Sequence, residues 1–213
     1  TLLMPISLTE YRVLFFCIAL LFVTGVVDDL RELPPAAKFV MQLAVALALV
    51  FLDDQLVRFV GDILDDSGSN AYEPLGLDIL TIPLTVFAML GVINAFNLID
   101  GLDGLCGGIT LMALAALMGL AFHHGGAVTE FKLLGMVLVT VAAFLIFNLS
   151  IVGATRQVYL GDAGSMVLGL ILVYFLINLS QRGIPIVASG VPVNKPNSAP
   201  WLIALPLMDT VNV

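Results

Sequence analysis

The chain has 213 residues, of which 60% are hydrophobic and 11% charged, against roughly 45–50% and about 25% in an ordinary soluble domain. With a mean hydropathy of +1.09 and apolar runs along its whole length, the excess must face lipid as well as the chain itself, which excludes a single water-soluble core and indicates an integral membrane protein. Eight Lys and Arg against 16 Asp and Glu give a formal charge of −8, and without a basic run to track phosphates nucleic-acid binding is disfavoured too.

Seven apolar segments follow one another, at about Tyr11–Val27, Ala36–Leu52, Ile79–Ile99, Leu105–Phe122, Phe131–Val152, Ala163–Ser180 and Pro200–Val213. Each is near the ~20 residues that cross ~30 Å of hydrocarbon. None alternates with period two, and lipid offers no partner to unpaired backbone groups, so the segments are expected to be helices. The expected fold is all-α: a polytopic transmembrane helix bundle, with residues 1–213 forming a single integral membrane domain. Pro34-Pro35 suits the start of the second helix and Pro83 the first turn of the third, while Pro206 would kink the last. Cys17 and Cys106 lie in or beside apolar runs and read as small buried hydrophobes. The chain begins and stops within apolar sequence, so it is expected to be a piece of a longer protein.

Parity sorts the connections. If the first helix runs from side one to side two, the connections around Asp28–Pro35, Asp100–Gly104 and Gly153–Asp162 all fall on side two. Three acidic, glycine-containing turns therefore share a face: Asp28-Asp29, Asp100-Gly101-Leu102-Asp103-Gly104 and Gly161-Asp162-Ala163-Gly164-Ser165. Side two carries Arg31, Lys38 and Arg156, side one Arg12, Arg58, Lys132, Arg182 and Lys195, and three cations against five do not fix the orientation.

Any one of Asp28, Asp29, Asp100, Asp103 and Asp162 could be a helix cap. Five carboxylates on one face with little cationic compensation point instead to a functional site, because an uncompensated charge near hydrocarbon costs a few kcal/mol. A divalent cation relieves their repulsion most simply, and oxygen-only ligands favour Mg²⁺, with Mn²⁺ the substitute. The glycines around Asp100 and Asp162 leave helix-start N–H groups open to an anion. Asn94, Asn97 and Asn148 sit near helix ends on the same face, where amides either bond neighbouring helices or hold substrate polar groups. Lys38 and Arg156, with Arg31, are the cations that could clamp a diphosphate, or else anchor at anionic lipid. The far-side run Asp53, Asp54, Asp62, Asp65 and Asp66 is assigned no chemistry.

Gly25-Val26-Val27-Asp28-Asp29, Asn94-Ala95-Phe96-Asn97-Leu98-Ile99-Asp100-Gly101-Leu102-Asp103-Gly104-Leu105 and Gly161-Asp162-Ala163-Gly164-Ser165, in this order and spacing, resemble the polyprenyl-phosphate N-acetylhexosamine-1-phosphate transferases. These are the membrane glycosyltransferase family 4 enzymes, which include the WecA and MraY types. Ala95-Phe96-Asn97 and Pro206-Leu207-Met208-Asp209 look more like the WecA type. The resemblance implies a transferase that passes N-acetylglucosamine-1-phosphate from UDP-N-acetylglucosamine to undecaprenyl phosphate, releases UMP and so starts a lipid-linked cell-envelope polysaccharide. It implies Mg²⁺ as cofactor, the bacterial inner membrane as location and the cytoplasmic face as the active side; a homodimer stays open. It implies Asp162 as metal ligand, Asp28 and Asp29 beside the phosphates and the lipid acceptor, and Asn97, Asp100 and Asp103 on the nucleotide side. It also implies helices before Thr1 and, after Val213, a cytoplasmic loop with arginine and a histidine cluster. His123 and His124 cannot replace that cluster, since parity puts them on the opposite face.

Two alternatives are carried forward. Within the family, the sugar substrate could be UDP-MurNAc-pentapeptide, making the protein a phospho-N-acetylmuramoyl-pentapeptide transferase. From another class, intramembrane carboxylates could line the path of a cation transporter or channel, but that predicts acids at mid-membrane depth on repeated halves, and these lie in turns at one face. On the enzyme reading, direct attack by the lipid phosphate is preferred to an aspartyl-phosphate at Asp28 or Asp29, because a phosphate monoester with a second pKa near ~6 is already largely a dianion.

Overall fold

A computed structural model describes residues 8–57, 78–123, 127–150 and 158–181. Among these residues there is no strand, and six helices are long and apolar enough to cross a membrane. They are α1 (Arg12–Leu30), α2 (Pro35–Leu52), α3 (Thr81–Ile99), α4 (Leu105–His123), α5 (Val128–Asn148) and α6 (Gly161–Gln181). Short 3₁₀ turns at Leu8–Tyr11 and Asp78–Leu80 lead into α1 and α3. The expected seventh segment, Pro200–Val213, lies outside the described residues.

Local sequence explains the boundaries. Pro34 is extended (φ −60°, ψ 140°) and Pro35 occupies the first helical position of α2, where its missing N–H costs nothing. α5 starts three residues earlier than its apolar run suggested, because the Glu130 carboxylate turns back to accept from Ala127 N at 3.0 Å. The same helix stops at Asn148, short of the expected Val152, and Ser150 follows with a left-handed φ of 55°. α1 and α6 each run past their apolar cores, so Asp28 and Asp29 lie in the last turn of α1 and Asp162 in the first turn of α6, where the sequence had suggested connecting turns.

Pairings along the helices give their directions. α1 and α6 are antiparallel: Tyr11 meets Tyr174 and Phe175 at one end, while Asp29 meets Asp162 at the other. α2 runs parallel to α6, with Lys38 beside Asp162 and Gln42 beside Met166. α3 returns antiparallel, Asn97 bonding Ser165. This up-and-down order is the one parity required. α6 is the axis of the bundle, packing on α1, α3 and α4; 72% of its span is buried, against 17% for α5. Phe16, Phe22, Phe51, Phe87, Phe122 and Met136 are exposed on the outside, as lipid-facing positions should be. Cys17 and Cys106 are free thiols inside the bundle.

Candidate active site

The site begins with a close helix approach. A Cβ at Gly25 would stand 2.3 Å from Ala163 Cα, so only glycine lets the end of α1 lie on the start of α6. Asp29 is thereby delivered to the first N–H groups of α6: Oδ1 accepts from Asp162 N at 2.9 Å and Oδ2 from Ala163 N at 3.3 Å. An anion there meets both the unpaired donors and the positive end of the helix dipole. Gly161, at φ 68°, packs against the same carboxylate, and a Cβ on it would be 2.9 Å from Asp29 Oδ2. The sequence had left this helix start open to an external anion; the structure fills it with Asp29.

Asp28 faces the other way and is only 6% exposed. Its Oδ1 accepts from Leu33 N at 2.7 Å, closing the α1–α2 turn, and its Oδ2 pairs with Lys38 Nζ. The same ammonium donates to Asp162 Oδ2 at 3.0 Å. Asp28, Lys38 and Asp162 thus form an ion triad joining α1, α2 and α6, with Asp162 the more open of the two carboxylates.

Asp100 follows the last residue of α3. Burial pushes its carboxyl up to about 6, and the charges of Asp162, Asp29 and Asp103 push the same way, against a hydrogen bond from the Gly161 backbone N–H. Asp103 stands exposed on the turn. All five predicted aspartates are therefore brought to one end of the bundle, and among the described residues the ammonium of Lys38 is the cation held between them.

Asn94 and Asn97 line a cavity of about 540 Å³ with Pro35, Ala36, Lys38 and Phe39. Neither amide is loose. Asn97 Oδ1 accepts from the Ser165 hydroxyl at 2.9 Å, and Asn94 Nδ2 donates to Gln42 Oε1 and Leu90 O, both at 2.8 Å. Gln42, 1% exposed, also donates to Met166 Sδ at 3.5 Å. Sequence reasoning passed over Gln42 and the role of Ser165. The signal for Gln42 was its position four residues after Lys38, one turn along the same helix face.

The remaining expectations divide. Asn148, read as a substrate-binding residue, is 5% exposed and spends its amide on backbone: Oδ1 accepts from Gly104 N at 2.6 Å and Nδ2 donates to Val158 O at 2.9 Å. Arg156, His124 and the acids Asp62, Asp65 and Asp66 lie outside the described residues. Arg31 is exposed just after α1, and His123 ends α4, at the opposite end from Gly104.

Among the described residues no three Asp, Glu, His or Cys side chains enclose an ion by themselves. The surplus of negative charge around Asp100 and Asp162 nevertheless suits a cation held by one or two carboxylates and completed by substrate oxygens and water, which is the habit of Mg²⁺.

Membrane-spanning helices that gather carboxylates, one lysine and an amide-lined cavity at a single end define a multi-pass membrane protein with a candidate polar active site at the membrane surface. Residues 11–180 match glycosyl transferase family 4, and the chain belongs to that family. It is 28% identical over 97% of its length to an undecaprenyl-phosphate alpha-N-acetylglucosaminyl 1-phosphate transferase of Yersinia pestis. It is 29% identical over 92% of its length to the protein of the same name in Escherichia coli (strain K12), and 32% identical over 82% to a probable undecaprenyl-phosphate N-acetylglucosaminyl 1-phosphate transferase of Bacillus subtilis (strain 168). The chain spans about half the length of these relatives: 53%, 50% and 47%.

Proposed function

We propose that the protein carrying this chain transfers N-acetylglucosamine-1-phosphate from UDP-N-acetylglucosamine to undecaprenyl phosphate and releases UMP, at the cytoplasmic face of a bacterial inner membrane. The observation that carries this reading is the convergence of Asp28, Asp162 and Lys38 with Asp100 at one end of the bundle. Family membership and the relatives' names support it.

In the reaction an oxygen of the lipid phosphate attacks the sugar-linked phosphorus. A new P–O–P linkage forms, the bond to the bridging oxygen breaks, and that oxygen leaves on UMP. Such a transfer needs in-line positioning and charge neutralisation more than covalent help. Lys38 brings a fixed ammonium to the diphosphate, oriented by Asp28 and Asp162. Asp29 acts by holding the start of α6, and hence Asp162, in place. Asp100 and Asp103 face the nucleotide side, while Asn94 and Asn97, set by Gln42 and Ser165, serve substrate polar groups in the cavity beside Lys38. Asp162, with Asp100 reinforcing it, is the candidate to hold Mg²⁺, which when bound would neutralise charge developing on the diphosphate. The acceptor phosphate is largely a dianion at neutral pH and needs no general base, so attack is direct.

The test is UMP release by the full-length protein in detergent, with UDP-N-acetylglucosamine, undecaprenyl phosphate and Mg²⁺. The reading predicts UMP and a lipid-linked sugar diphosphate in equal amounts, with UDP-MurNAc-pentapeptide inert. UMP release with the pentapeptide substrate only would reassign the sugar, and no UMP from either would overturn the transferase reading. A phosphorylated protein trapped with the UDP-sugar in the absence of lipid would replace direct attack by an aspartyl-phosphate.

A further inference from the structure

Three stretches of backbone meet around a single side chain. Asn148, the last residue of α5, bridges the turn that carries Asp100 and Asp103 to the segment that leads into Asp162. On the first side it accepts from Gly104 N, one residue after Asp103; on the second it donates to Val158 O, three residues before Gly161. The surrounding contacts fix the geometry. Gly104 has a φ of 78°, and a Cβ on it would lie 2.4 Å from Leu149 Cδ2, so the turn is seated directly on the end of α5. One turn further along α4, a Cβ at Gly107 would lie 2.7 Å from Leu145 Cδ2.

We propose that Asn148 is a positioning residue, which holds the Asp100–Asp103 turn at a fixed spacing from Asp162 by clasping the backbone on both sides. The inference deepens the transferase reading and rests on it for its consequence. The job requires an acceptor and a donor on one short, uncharged group. Leucine offers neither; aspartate keeps the acceptor for Gly104 N but sets a carboxylate against the Val158 carbonyl. Loss of the clasp lets the nucleotide-side turn drift relative to Asp162, and a displacement of about 1 Å in such a site costs on the order of 10²-fold in rate.

The experiment compares the full-length protein with its Asn148→Asp and Asn148→Leu variants by two readouts. The first is the distance between spin labels placed at the exposed positions 102 and 159 (Leu102→Cys with Tyr159→Cys), one on each clasped segment. Both Asn148 variants should broaden or shift that distance, whereas a helix-stabilising role alone would lower the melting temperature and leave it unchanged. The second is steady-state kinetics in the unlabelled proteins: kcat should fall about 10- to 100-fold while KM for UDP-N-acetylglucosamine stays within about threefold. An unchanged distance distribution in Asn148→Asp overturns the proposal, as does a large rise in KM with kcat kept, which would make the amide a substrate contact. Absence of transfer by the parent protein sinks the transferase reading alone, since the distances still judge the clasp.

Discussion

The same pair of antiparallel helices, α1 and α6, ends in two different ways. At one end Tyr11 packs on Tyr174 and Phe175 with ring centroids 6.3 and 6.2 Å away, and the nearby acid, Asp53, is raised by burial while the Tyr174 hydroxyl and the Gln55 amide oppose the rise. Two polar bonds close this end: Gln55 Nε2 donates to Asp53 Oδ2 at 3.3 Å and Val57 N to Thr85 Oγ1 at 2.9 Å. At the other end five aspartates converge, two of them paired with Lys38, and Asp100 is pushed up to about 6 with burial and three other carboxylates as causes. At the aromatic end the acid is met by protein donors. The other end gathers a surplus of carboxylates around the lysine among the described residues, and on the proposed function that surplus is where a cation and a diphosphate would sit.

This contrast predicts unequal responses to substitution. Asp162→Asn should cut transfer by about 10³-fold, because it removes both the candidate metal ligand and one anchor of Lys38; UMP release by the folded variant measures it. Lys38→Met should cost about 10²-fold in kcat and leave Asp28 buried without its cation, so the melting temperature should fall as well. Gly25→Leu forces a side chain into the Ala163 backbone and should destabilise the protein by about 3 kcal/mol while separating Asp29 from α6; chemical denaturation and the Asp162-dependent assay report the two effects. At the aromatic end, Tyr174→Phe should cost only about 1 kcal/mol of stability and change transfer less than about twofold. A large activity loss there would break the distinction between the ends.

The surplus also predicts a pH dependence of opposite sign to that of an ordinary salt-bridged acid. Asp100 titrates near 6 in the folded chain against about 3.9 unfolded, so the folded state binds its proton more tightly. In the presence of a chelator, stability should be greatest below about pH 4 as far as this group is concerned and should decline as pH rises through about 6. Asp100→Asn should remove that decline, which thermal melts across the range would show.

Much of this was legible in the letters. Apolar length located all six described helices, and counting crossings placed Asp28, Asp100 and Asp162 together before any coordinates, because parity depends on segment number and not on packing. Side-chain partnership was illegible. Whether Asp29 faces substrate or caps α6 depends on the close approach at Gly25, a tertiary contact between residues 25 and 163 that no local pattern announces. The backbone bonds of Asn148 were illegible for the same reason: an amide at a helix end looks alike whether it meets ligand or backbone. Gln42 is buried in an apolar run and surfaced only through its bond from Asn94. The Lys and Arg count left the orientation open, and Lys38, one of its eight cations, serves the ion triad.

The central claim is that the acidic end is one shared site for a divalent ion and a diphosphate. Mn²⁺ binding, followed by electron paramagnetic resonance with and without UDP, tests it most directly. The account predicts one bound ion per chain, tightened by UDP and lost in Asp162→Asn. Ion binding that survives Asp162→Asn unchanged, or that ignores UDP, would contradict it.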